Sequence, residues 1–145
     1  MMRVETCRTL CFAAMVALAP IAMAQKDDSH GNQLASHGLG DSSPKVRDMS
    51  LDARWKVYGF TRDGISYYQI NDLAGRVQII VGRADDAFWA LPSGETAFRV
   101  SLPSQRLPLP ERVVPSVIYR GPDFSIVHYA GGDALWSVEV SGASP

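Results

Sequence analysis

From about Arg54 onward, apolar and polar residues alternate in short runs separated by turn residues roughly every ten positions, which is the period of half-buried β-strands. The run Trp55-Lys56-Val57-Tyr58-Gly59-Phe60 leads through Asp63-Gly64 into Ile65-Ser66-Tyr67-Tyr68-Gln69-Ile70. An Asp-Gly pair supplies the positive φ that a tight hairpin needs. Asn71 to Gly75 then turns the chain into Val77-Gln78-Ile79-Ile80-Val81, a second hairpin following the first. Asp85-Asp86 precedes Ala87 to Leu91, and Pro92-Ser93-Gly94-Glu95 leads into Ala97 to Leu102, which is expected to pair with the strand before it. Ser116 to Tyr119, Phe124 to Tyr129 and Ala134 to Val140 complete seven or eight short strands over residues 51–141.

Outside the first 24 residues no window longer than about ten keeps apolar residues at helical spacing. One helical turn at Ser50-Leu51-Asp52-Ala53 is the only candidate, with Ser50 as its N-cap. The expected class is therefore all-β with little helix, a small antiparallel barrel or a two-sheet sandwich of meandering strands, in which closure or stacking protects the edges. Alternation puts Trp55 with Val57 on one face, and likewise groups Val77, Ile79 and Val81. Phe98, Val100 and Leu102, Phe124 with Ile126, and Trp136, Val138 and Val140 form the remaining core sets.

The segment before the domain has a different pattern. Arg3 and Arg8 precede an apolar run from Leu10 to Ala19, and Ala22-Met23-Ala24 offers a cleavage site before Gln25, so residues 1–24 read as a cleavable signal peptide. The run has about half the roughly 20 apolar residues a membrane span requires. Residues 25–50 are rich in Ser, Gly, Asp and His and are expected to form a flexible linker, and 142–145 a disordered end. Both cysteines, Cys7 and Cys11, lie in the leader, so the mature chain has no disulfide. An exported location follows, periplasmic or secreted. Cleavage takes two of the 14 basic and one of the 15 acidic residues, leaving 12 and 14, a net charge near −2. No basic stripe is present, which sets nucleic acid aside as a partner.

Chemistry is sparse. The domain's single histidine, His128, shares a strand face with Phe124 and Ile126, has no G-x-S-x-G elbow beside it and reads as a packing residue; a small hydrolase or lyase built on it is the enzymatic alternative. Asp63, Asp72, Asp85, Asp86, Asp123 and Asp133 all fall at turns, where Asp caps the backbone. His30 and His37 stand near Asp27, Asp28 and Asp41, but a Gly/Ser-rich linker holds no ligand geometry, and neither metal nor cofactor is expected.

Binding is the remaining class. The segment Leu102 to Pro115 holds four prolines in fourteen residues and favours extended, stiff backbone. Two roles are open to it: a lid whose Leu107, Leu109, Val113 and Val114 cover an open side of the sheet, or a partner-binding loop in which Leu107 and Leu109 dock and Arg106 and Arg112 supply polar contacts. Tyr67-Tyr68 and Phe88-Trp89 are adjacent pairs, so each points one ring to either face of its strand. Tyr67, Tyr68 and Trp89 are therefore candidate binding anchors. The expected function is a non-enzymatic inhibitor, immunity or accessory factor gripping a protein or envelope polymer, or else a structural subunit of an envelope assembly. N-terminal sequencing of the exported protein should begin at Gln25, or be blocked by its cyclisation; an exported chain that still starts at Met1 refutes the leader.

Overall fold

The computed structural model describes residues 34–92, 99–132 and 134–142. The signal peptide, the start of the linker, Phe98, Asp133 and residues 143–145 lie outside them. Eight strands form: β1 (Trp55–Arg62), β2 (Ile65–Asp72), β3 (Val77–Ala84), β4 (Ala87–Pro92), β5 (Arg99–Ser101), β6 (Pro115–Arg120), β7 (Phe124–Tyr129) and β8 (Leu135–Val140). They make two four-stranded sheets, ordered β1-β2-β3-β4 and β5-β8-β7-β6. No strand ladder joins the sheets among the described residues, so the fold is a sandwich and not a closed barrel. The expected helical turn at 50–53 is an Asx-type turn instead: Asp52 Oδ1 accepts from Arg54 N at 3.0 Å and Asp52 O from Trp55 N at 3.1 Å.

The first sheet is the meander that the hairpin signals foretold. Asp63 and Gly64 take φ of 52° and 78°, and Arg62 pairs directly with Ile65 across this two-residue turn. The second sheet departs from a meander. β4 does not pair with β5; the chain changes sheets between them, and β5 runs parallel to β8 with Arg99, Val100 and Ser101 opposite Leu135, Trp136 and Ser137. A three-residue strand beside the chain's last strand has no local signal, because its partner lies more than thirty residues away.

Between the sheets sit Val57, Tyr68, Ile70, Ile79, Val81 and Phe88 from the first, and Ile118, Tyr119, Phe124, Ile126, Trp136 and Val138 from the second. A bulge at Val117/Tyr119 breaks strict alternation in β6, so that Ile118 and Tyr119, adjacent in sequence, both reach the core. Each large apolar side chain buried here contributes about 1.5–3 kcal/mol. One end is finished by Arg83, whose guanidinium lies 5.6 Å and 5.5 Å from the ring centres of Phe88 and Phe124 and pairs with Asp123 at 3.0 Å.

Irregular chain covers part of each outer face. On the second sheet, Leu107 and Val113 of the proline-rich loop pack with Val117 onto Val127, Tyr129 and Leu135, and Ser101 Oγ accepts from Leu107 N at 3.0 Å. On the first sheet, the stretch 34–50, expected to be flexible linker, is docked. Ala35 bridges Phe60 in parallel, donating to Gly59 O at 3.0 Å and accepting from Thr61 N at 2.8 Å. Asp48 Oδ1 accepts from Val57 N at 3.0 Å and Met49 N donates to Val57 O at 2.8 Å, so the chain satisfies the free edge of β1 at two places.

Composition hid this docking because its anchors belong to the strand. Gln69 and Asn71 are fully buried on the outer face of β2. Gln69 Oε1 accepts from Gly40 N at 2.6 Å, its Nε2 donates to Asp41 O at 2.8 Å, and Asn71 Nδ2 donates to Ser42 O at 3.1 Å. Replacing Gln69 by Ala should cost about 1–3 kcal/mol by leaving these backbone groups unpaired. It should also speed tryptic cleavage after Lys45 and Arg47; equal cleavage of wild type and variant would refute the docking.

Candidate functional site: the aromatic face of the first sheet

Alternation along β2 and β4 separates the two aromatic pairs. Tyr68 and Phe88 enter the core, while Tyr67 and Trp89 stand half-buried on the outer face. Tyr68, taken above as a candidate anchor, is only 6% exposed and packs on Tyr119 and Phe124, and this burial pushes its phenol well above the usual range. It is a core residue and leaves the candidate site.

Tyr67, Gly82 and Trp89 lie in one row across three strands, Tyr67 opposite Gly82 and Gly82 opposite Trp89. A Cβ at Gly82 would collide with Cε2, Nε1 and Cζ2 of Trp89, so the indole lies across the glycine where any other residue would project a side chain. Tyr67 meets this ring edge-on, with centroids 6.4 Å apart and planes at 87°. The indole thus has one side against the sheet and Tyr67 at its flank, and it is half-buried there. Leu91, two residues along the same strand face, and Leu39 are exposed nearby.

Tyr67 also borders a concavity of about 220 Å³ whose wall includes Ser36, His37, Leu39, Thr61 and Arg62. Beyond the ridge of Ser36, His37 and Gly38 lies a larger one of about 870 Å³, with Lys45, Arg47, Asp41 and Val46 in its lining. Both hollows exist because residues 34–49 arch over the sheet. Ser36 Oγ and His37 Nδ1 are 2.8 Å apart on the ridge. Sequence reading missed these residues by treating the stretch as solvated. The available signal was Gln69, a polar residue inside a strand between Tyr68 and Ile70, with Asn71 next on the same face, which calls for a backbone partner.

The loop candidates lie elsewhere. Leu107 packs on the second sheet, whereas Leu109 and Val114 are 50% and 87% exposed and Arg106 and Arg112 are exposed beside them. The loop covers the outer face of the second sheet and Tyr67 with Trp89 the outer face of the first, so the structure does not bring the two halves of the candidate site together.

His128 is 8% exposed and enclosed by Trp55 and Trp136, with ring centroids 5.1 Å and 4.4 Å away. Its Nδ1 has no hydrogen-bond partner among the described residues, and Asp52, which stabilises its charged form through space, is held by Arg54 at 2.6 Å. Among the described residues no hydrogen bond joins it to a nucleophile or an orienting carboxylate, so they supply it with no acid-base dyad. Among the described residues no group of three His, Cys, Asp or Glu side chains is placed to hold a metal, and no helix is long and apolar enough to cross a membrane. Comparison with known protein families, curated proteins and solved structures finds no match to this chain.

Burial, and secondarily the charge of Arg54, lowers the pKa of His128 below its ordinary 6.5, with Asp52 offsetting part of the shift. The folded state then binds fewer protons than the unfolded chain just below pH 6.5, so His128 favours folding fully above that pH and opposes it progressively as pH falls. Denaturant unfolding at pH 7.5 and pH 5 should show wild type losing more stability than His128→Phe. Identical losses would refute the assignment.

Proposed function

We propose that this chain is an exported binding protein of the cell envelope, with no chemistry of its own, that holds a protein or envelope polymer against the Tyr67–Trp89 face. The observation that carries the reading is the indole of Trp89 lying across Gly82. Aromatic rings are the costliest side chains to leave in water and the commonest anchors of recognition. Among the described residues, Trp89 stands half-buried on the outer face and outside the core cluster. It lies on a rigid three-strand row with Tyr67 fixing its edge, so little side-chain entropy remains to be lost when a ligand covers it. The leader supplies the address, and the small hollow beside Tyr67, with the larger one across the Ser36–Gly38 ridge, extends the contact surface.

A second reading uses the proline-rich loop. Val114 and Leu109 are exposed apolar side chains on a stiff segment, flanked by Arg106 and Arg112, which suits a small protein-protein contact. The aromatic face is preferred because the loop's Leu107 and Val113 already have work as a cover over Val127, Tyr129 and Leu135.

Cross-linked capture of a component from envelope extract distinguishes the two. Trp89→Ala should lower capture at least about tenfold, the loss of a single recognition anchor, while its circular dichroism stays unchanged. The double variant Leu109→Ser, Val114→Ser should capture normally. The opposite pattern transfers the site to the loop, and capture that survives both sets overturns the reading.

A further inference from the structure

Resting on the reading of the Tyr67–Trp89 face, we infer that its ligand is an acidic polysaccharide, whose sugar rings stack on Trp89 and Tyr67 while their carboxylates are met by Arg62, Lys45 and Arg47.

Three observations on one surface point there. The first is shape: the flat indole is followed at Tyr67 by the 220 Å³ hollow, and then across the Ser36–Gly38 ridge by the 870 Å³ one. Tyr67 lines the first hollow, and Ser36, His37 and Gly38 line both, so the aromatic pair and the two hollows follow one another as a track interrupted by that ridge. A track suits a chain of linked units better than a single small molecule. The second is chemistry within the hollows. Ser36 and Thr61 offer hydroxyls and His37 an imidazole beside an aromatic ring, a mixture of apolar floor and few polar groups that fits a sugar's C–H face and its hydroxyl rim.

The third is charge. Arg62 lines the small hollow and Lys45 and Arg47 the large one. Arg62 is paired only loosely, with Asp63 at 3.6 Å, both side chains being largely exposed. Lys45 and Arg47 form no ion pair among the described residues, and Asp41 is the only acidic residue lining either hollow. In a chain of formal net charge −1 this local excess of cations is not background. It makes the track attractive to carboxylates while the rest of the surface is not attractive to polyanions in general. Single-stranded nucleic acid shares the anionic backbone, but its recognition relies on successive stacking rings along a basic groove. This surface has one stacking pair.

The test is titration calorimetry of the exported chain with three probes: hexagalacturonate, its fully methyl-esterified neutral form, and a single-stranded oligonucleotide. Hexagalacturonate should bind, and tenfold more salt should weaken it. Trp89→Ala should reduce its affinity at least tenfold. The triple variant Lys45→Ala, Arg47→Ala, Arg62→Ala should reduce it about tenfold while leaving binding of the ester unchanged; all three sites are exposed, and thermal melts check folding. Equal binding of acid and ester, unaffected by the triple variant, overturns the inference and leaves the binding face in place. So does the absence of binding to either saccharide when Trp89 still governs capture from envelope extract. Tighter binding of the oligonucleotide also overturns it. Saccharide binding indifferent to Trp89→Ala sinks both the inference and the function it rests on.

Discussion

The burial of two amides governs the architecture. Gln69 and Asn71 are the only fully buried Gln and Asn among the described residues, and they sit on the side of the first sheet that a simple two-layer sandwich would give to water. An amide withdrawn from solvent without partners costs about 1–3 kcal/mol. Here the partners are backbone groups of Gly40, Asp41 and Ser42, so the segment bearing them is tied down. Once it is tied, its two flanks fall on β1: Leu34 and Met49 fill the space that a side chain at Gly59 would take, and their neighbours close the strand's edge. The arch over the sheet, its hollows and the burial of Phe60 all follow from that attachment.

The second sheet solves the same exposure problem by different means. Its outer face is apolar, with Val127, Tyr129 and Leu135, and it is shielded by Leu107 and Val113 of a proline-stiffened loop. One face is thus covered through polar clamps and the other through greasy contact. The consequence for function is an asymmetry: the polar-clamped cover leaves hollows between its anchor points, whereas the apolar cover seats Leu107 and Val113 on its sheet and, of its other large apolar side chains, leaves Leu109 and Val114 in solvent. Covering both faces also explains how so small a chain, with no cysteine in the described residues, assembles enough buried surface to hold itself together.

How much of this was legible follows from how local each signal is. Strand positions, the Asp63-Gly64 hairpin and most core residues depend on neighbours one to four positions away, and they emerged from alternation alone. Alternation also separated Tyr67 from Tyr68 and Phe88 from Trp89, but it does not say which face is inward. Tyr68 was therefore kept as an anchor when it belongs to the core. The parallel pairing of β5 and the bulge that turns Ile118 and Tyr119 inward depend on distant partners, and so they left no periodic trace. The docked stretch was hidden for a third reason: its composition is that of a linker, and beside a few of its own side chains, Leu34, Asp48 and Met49, what holds it is backbone, which every sequence has.

One consequence of the Gly82–Trp89 contact reaches beyond the single molecule. The glycine has no left-handed backbone conformation to restrict it, and the nearest obstacle to a side chain there is the ring above it. A mutation that places a side chain at 82 evicts the indole, and a mutation that shortens residue 89 frees position 82 to vary. The two positions are therefore bound in an epistatic pair: descendants that give up the aromatic ring acquire freedom at the glycine, and each such replacement then blocks the way back to tryptophan. The pair works as an evolutionary ratchet, and among divergent descendants the retention of glycine at 82 would mark those in which the aromatic surface is still under selection.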